Sequence, residues 1–79
     1  MDNEFIISSL FPFVGDNNLT YYVNLETEKL TLLVSLAPFV NNPDTLMKLS
    51  KLDINILQEL TGKLPQFNVD EIKKYFDKV

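Results

Sequence analysis

Near the C-terminus, apolar and polar residues follow a helical period. In VDEIKKYFDKV, residues 69–79, a step of about 100° per residue puts Val69, Ile72, Tyr75, Phe76 and Val79 on one stripe. Asp70, Lys73, Lys74 and Asp77 lie off it. Asn68 is placed to cap this segment. Asp70 and Glu71 fall in the first turn and Lys78 in the last, the order that the helix dipole favours. Asp70 precedes Lys74 by four positions, the better order for an ion pair. The pattern predicts a helix over 69–78.

Two further helices are predicted before it. In SKLDINILQELTG, residues 50–62, Ile54, Ile56, Leu57 and Leu60 form the apolar stripe. Ser50 and Asp53 resemble a capping box, or Asp53 is itself the cap. Gly62 reads as a C′ glycine, and Pro65 blocks resumption. In NNPDTLMKLSKL, residues 41–52, Asn42 is the cap, Pro43 the first helical residue, and Asp44 lies in the first turn. Leu46, Leu49 and Leu52 face inward.

The first half supports two periods. EFIISSLF, residues 4–11, follows Asp2 and Asn3, either of which can cap. Ile6, Ile7, Leu10 and Phe11 share a face and Phe5 lies off it. The pattern predicts a short helix stopped by Pro12. Residues 20–37, TYYVNLETEKLTLLVSLA, fit a helix with Leu25, Leu32, Leu33 and Leu36 on one side. They also fit a hairpin in which ETEK turns and Leu25 faces Leu30, Val23 faces Leu32 and Tyr21 faces Val34. Against the hairpin, ETEK has no glycine or asparagine to supply a positive φ.

One internal echo bears on this choice. SLFPFV at 9–14 returns as SLAPFV at 35–40. Pro65, in KLPQFN, falls at a similar interval after Pro38. The spacing suggests a degenerate helix–Pro–helix repeat, with each proline stopping an element and each Phe–Val beginning a non-helical turn. The expected fold is therefore all-α: one domain over 1–79, a small bundle or array of four to five short helices. The alternative is α+β, with a 20–36 β-hairpin packed on three C-terminal helices.

Composition removes several chemistries. The 79 residues contain no cysteine, histidine or tryptophan, and all seven basic residues are lysine. Disulfides and thiolate metal sites are excluded. The usual general base near neutral pH is missing, and so is the arginine fork for phosphate. The net charge is −4 with a pI near 4.5, and no dense basic patch offsets it. Direct nucleic-acid binding is not expected. The apolar run FIISSLFPFV is too short to span a membrane, and the acidic MDNEF start is unlike a signal peptide. A cytoplasmic protein is expected.

No constellation of reactive groups emerges. GDNNLT, residues 15–20, alternates Asp16, Asn18 and Thr20, but lacks the glycine and glutamate that an EF-hand loop needs at its sixth and twelfth positions. A polar turn explains it better. The 57–76 stretch resembles a helix-turn-helix, but the 61–68 connection is long and the reading helix would open on Asp70 and Glu71. The acid pairs Glu26/Glu28 and Asp70/Glu71 read as solvated faces. No catalytic residue, metal ligand or cofactor is expected, and the chain is not expected to be an enzyme.

Apolar surplus is what remains. Phe13, Val14, Tyr21, Tyr22, Phe39 and Val40 are the candidate partner-binding residues, because aromatic side chains concentrate at protein interfaces. The expected function is a small acidic protein–protein interaction module (an adaptor, regulator or subunit) that binds another protein or itself as a homo-oligomer. The alternative is a phage-type acidic inhibitor of a nucleic-acid-processing enzyme.

Overall fold

Helical periodicity governs the first half as well as the second. The computed structural model describes residues 3–64, 66 and 69–76. Within them lie six helices and no strand: α1 (Asn3–Val14), α2 (Asp16–Tyr22), α3 (Thr27–Val40), α4 (Pro43–Ser50), α5 (Ile54–Gly62) and α6 (Val69–Phe76). The fold is a small all-α bundle, with one helix more than the four to five expected. The 20–36 hairpin is not formed. Nor is 20–37 one helix: the chain turns at 23–26 between α2 and α3. ETEK instead opens α3, with Glu26 extended at φ −65°, ψ 146°.

Burial follows the four-residue repeat. Ile6, Leu10 and Val14 form the inner stripe of α1, and Leu30, Leu33, Leu36, Ala37 and Val40 that of α3. Leu46 and Leu49 of α4, Leu57 and Leu60 of α5, and Ile72 of α6 join the same core. Leu52 is also buried, from the turn after α4. The central helix is α3, against which α1, α4 and α5 all pack. Burying a leucine side chain contributes about 1.5–3 kcal/mol, so this leucine-rich core is the main source of stability in a short chain.

Pro12 and Pro38 do not stop their helices. Each lies inside one, two residues before its last residue. Proline there leaves the carbonyl four positions back, Ser8 or Val34, without its helical N–H. Both prolines are exposed, where water can reach such a carbonyl. The Phe–Val pairs complete the last helical turn and are not loop residues.

The stop comes one residue later, at a positive φ in both copies. Gly15 has φ +75° and Asn41 has φ +48°. Gly15 N–H donates to the Phe11 carbonyl at 3.3 Å, and Asn41 N–H to the Ala37 carbonyl at 2.9 Å. Asn41, with ψ 39°, is the left-handed C-terminal cap that favours glycine and then asparagine, whereas Gly15, with ψ 166°, lies in a region essentially reserved for glycine. The rest of the motif matches too. Ser9 Oγ donates to the Phe5 carbonyl and Ser35 Oγ to the Thr31 carbonyl, each at 3.3 Å. Leu10 and Leu36 are fully buried. At the one position where the hexapeptides differ, Ala37 is buried and Phe11 is 48% exposed.

The other helix ends depart from expectation in two places. Asn42 Oδ1 does accept from Asp44 and Thr45 N–H, at 2.9 and 3.1 Å. Asp53 alone caps α5, accepting from Asn55 N–H at 2.7 Å, and Ser50 is committed elsewhere. Gly62 is the last residue of α5, with Lys63 right-handed after it (φ −88°, ψ −8°), so it is not a left-handed C′ glycine. In α6 Asp70 lies 3.9 Å from Lys73. The Asn68 cap, the Pro65 stop and the stretch from Asp77 lie outside the described residues.

Candidate functional site

The six candidate residues divide by burial. Tyr22 is fully buried, Val14 is 3% exposed and Val40 7%. These three belong to the core and offer no surface. Phe13 and Tyr21 are half-buried and pack against that core. Only Phe39, 44% exposed at the end of α3, presents a large part of its ring. The structure therefore does not bring the six together as a patch.

Tyr21 has a structural task. Its hydroxyl lies 2.9 Å from Ser50 Oγ. Ser50 Oγ donates its one proton to the Met47 carbonyl, which leaves Tyr21 as the donor to Ser50. Lys29 Nζ donates to the Ser50 carbonyl at 2.9 Å, closing the end of α4 with a cation where the helix dipole welcomes one. Tyr22 packs edge-on against Tyr21, ring centroids 5.2 Å apart. Its hydroxyl is buried without a hydrogen-bond partner. Burial first, and Tyr21 second, push the Tyr22 phenol up to about 12.

Polar recesses give little chemistry. One open cleft is lined by Asn24, Leu25, Glu26, Lys29, Asp53 and Ile54. Three of its polar side chains already serve the fold: Lys29 and Asp53 as helix caps, and Asn24 by donating to the Thr20 carbonyl at 2.9 Å. Among the described residues no three acidic, histidine or cysteine side chains gather as a metal would need. GDNNLT forms the start of α2, with Asn18 Nδ2 donating to the Val14 carbonyl at 3.0 Å. None of the described helices is long and apolar enough to cross a membrane.

The unusual surface is the outer face of α1. Phe5 is 69% exposed and Phe11 48%, and Glu4, Ser8, Ser9 and Pro12 are exposed with them. Ser8 Oγ donates back to the Glu4 carbonyl at 2.9 Å, as Ser9 does to Phe5. These hydroxyl protons are satisfied by the helix's own backbone. From Phe5 to Gly15 the sequence carries no charge. A shallow groove beside the face is lined by Glu4, Ile7, Ser8 and Val23, and Val23 is itself 47% exposed.

The outer face of α3 is similarly built. Thr31 and Ser35 bond back to the Thr27 and Thr31 carbonyls, and no charge occurs from Leu30 to Pro43. The later helices contrast. Asp44, Lys48, Asp53, Glu59, Lys63, Asp70, Lys73 and Lys74 all face solvent there. Phe5 lies off the inner stripe, as its spacing predicts, but Phe11 and Val23 were not expected at the surface. The charge-free run 5–15 was the available signal for Phe11, which the helical period placed on the inner face. Neither protein-family models, nor curated proteins, nor solved structures yield a match to this chain.

Proposed function

We propose that the chain is a small protein–protein interaction module that docks through the outer face of α1. The observation that carries this reading is the pairing of two exposed phenylalanines with serines whose hydroxyls are turned onto their own helix. Such a face can leave water without stranding a hydroxyl donor, and its one charge, Glu4, sits at its N-terminal end, so little opposes docking. Apolar exposure concentrated on one face, with charge kept elsewhere, is the signature of a contact surface. Phe39 provides a further exposed ring at the end of α3.

Affinity capture from the native host tests the reading, with wild type beside Phe5→Ser/Phe11→Ser. A protein retained by wild type and lost from the double variant, at unchanged melting temperature, is the expected result. Equal retention by both chains overturns it.

A further inference from the structure

Helix α2 is held by less than its neighbours. Among the described residues its fully buried side chain is Tyr22, whereas α3 buries Leu30, Leu33, Leu36, Ala37 and Val40. Leu19 and Tyr21 pack against the core half-buried. The helix rests on α1, while α3 packs with α1, α4 and α5, and α1 also meets α4. Those four helices interlock without α2. Among the described side chains, the hydrogen bond that ties α2 to a later helix is Tyr21 to Ser50.

Both ends of α2 are built to turn. Gly15, at φ +75° and ψ 166°, holds a backbone conformation open essentially to glycine alone, and nothing lies within 4 Å of where a Cβ would stand. At the other end the Asn24 and Leu25 N–H groups close tight turns onto the Tyr21 and Tyr22 carbonyls, at 3.3 and 3.0 Å, before Glu26 becomes extended. Hinges are short stretches of this kind, at the ends of an element, that absorb a change of backbone angle.

The seat of α2 also carries a cost. Tyr22 takes into the core a hydroxyl that finds no partner there, and opening returns it to water. The Tyr22 ring and the Tyr21 bond favour the closed form, and the orphan hydroxyl opposes it. Once detached, the seven residues of α2 are too few to remain helical alone. Opening is therefore an exchange between a docked helix and a coil.

We infer that α2 is a strap that opens as one unit, by local unfolding of residues 16–25, while α1, α3, α4 and α5 stay packed. The opened chain exposes Tyr21, Tyr22 and the side of α1 on which α2 rests. Segments with few buried apolar contacts are the ones that open ahead of the whole.

Native-state hydrogen exchange, followed amide by amide in urea below the unfolding transition, tests the inference. The amides of Tyr22, Val23 and Leu25 are expected to share one opening constant, about tenfold or more above that of Leu33 and Leu36 in α3. Their urea slope should be shallow, because little surface is exposed, while Leu33 and Leu36 follow the slope of global unfolding. Tyr21→Phe removes the tie to Ser50 and should raise the α2 opening constant about 5- to 30-fold. Tyr22→Phe removes the orphan hydroxyl and should leave that constant unchanged or lower it by up to about fivefold. If the α2 amides match Leu33 and Leu36 in constant and slope, α2 opens only with the whole chain and the inference fails. It fails equally if the three amides exchange through unrelated openings, if Tyr21→Phe leaves them unchanged, or if Tyr22→Phe accelerates them.

Discussion

The Tyr21 phenol donates to Ser50 Oγ across 2.9 Å, tying the end of α2 to the last residue of α4. Ser50 is 1% exposed, so an acceptor stripped of this bond is not rescued by bulk water. Tyr21→Phe is expected to cost about 1–2 kcal/mol in denaturant unfolding. A double-mutant cycle with Ser50→Ala should show that the two losses are not additive.

The next residue should behave in the opposite way. The Tyr22 hydroxyl is buried and unpartnered, so its desolvation is uncompensated. Tyr22→Phe is expected to leave stability unchanged or raise it by about 1 kcal/mol. The phenol's pKa is raised to about 12 from 10.0. Between those values the unfolded chain has lost the proton and the folded chain keeps it, so stability falls as pH rises. The contribution is intact below pH 10 and is lost by about pH 12, on the order of 2–3 kcal/mol. Alkaline unfolding of wild type compared with Tyr22→Phe isolates it: the variant should lack this part of the decline.

The two glycines should also give opposite signs. An added Cβ meets nothing within 4 Å at either position, so backbone conformation decides. At Gly15, φ +75° with ψ 166° makes Gly15→Ala cost about 1–3 kcal/mol. Gly62 is helical, and Gly62→Ala should stabilise by about 0.5–1 kcal/mol. Thermal melts of the two variants check both. A loss at Gly62 would restore the left-handed end expected from sequence.

Phe13 and Phe39 occupy equivalent positions in the repeat but not equivalent surroundings. Phe13 packs against the core, and Phe39 is 44% exposed. Phe13→Ala is expected to cost about 2 kcal/mol or more, and Phe39→Ala about 1 kcal/mol or less. Urea midpoints for the two variants provide the comparison.

Ionic strength separates apolar docking from an acidic decoy. An association through Phe5 and Phe11 should change little between about 0.05 and 0.5 M salt, whereas groove mimicry by carboxylates should weaken steeply.

Much of the C-terminal half was legible because cap, period and dipole agree there. Asn42–Pro43–Asp44 announces α4, and Asp53 with Leu57 and Leu60 announces α5. The first half resisted for a physical reason. Residues 20–36 carry leucines at spacings compatible with both periods, and nothing local breaks the tie between helix and hairpin. Pro12 and Pro38 misled because proline ends a helix only where its lost hydrogen bond cannot be tolerated; near an exposed C-terminal end it can. The true punctuation was the next small residue, Gly15 and Asn41. The burial of Val14 and Val40 escaped the sequence for the same reason. Once Phe–Val is helical, Val14 and Val40 turn inward, and the exposed rings are Phe5, Phe11 and Phe39.

The central claim is that the rings of Phe5 and Phe11 are surplus to the fold. Thermal unfolding of Phe5→Ser/Phe11→Ser, measured beside Leu10→Ala from the same helix, tests it most directly. The account predicts that the double variant melts close to wild type, a change of about 1 kcal/mol or less. Leu10→Ala, which hollows a fully buried site, should lose about 2–5 kcal/mol. A double variant that falls as far as Leu10→Ala would place those rings in the core and contradict the account.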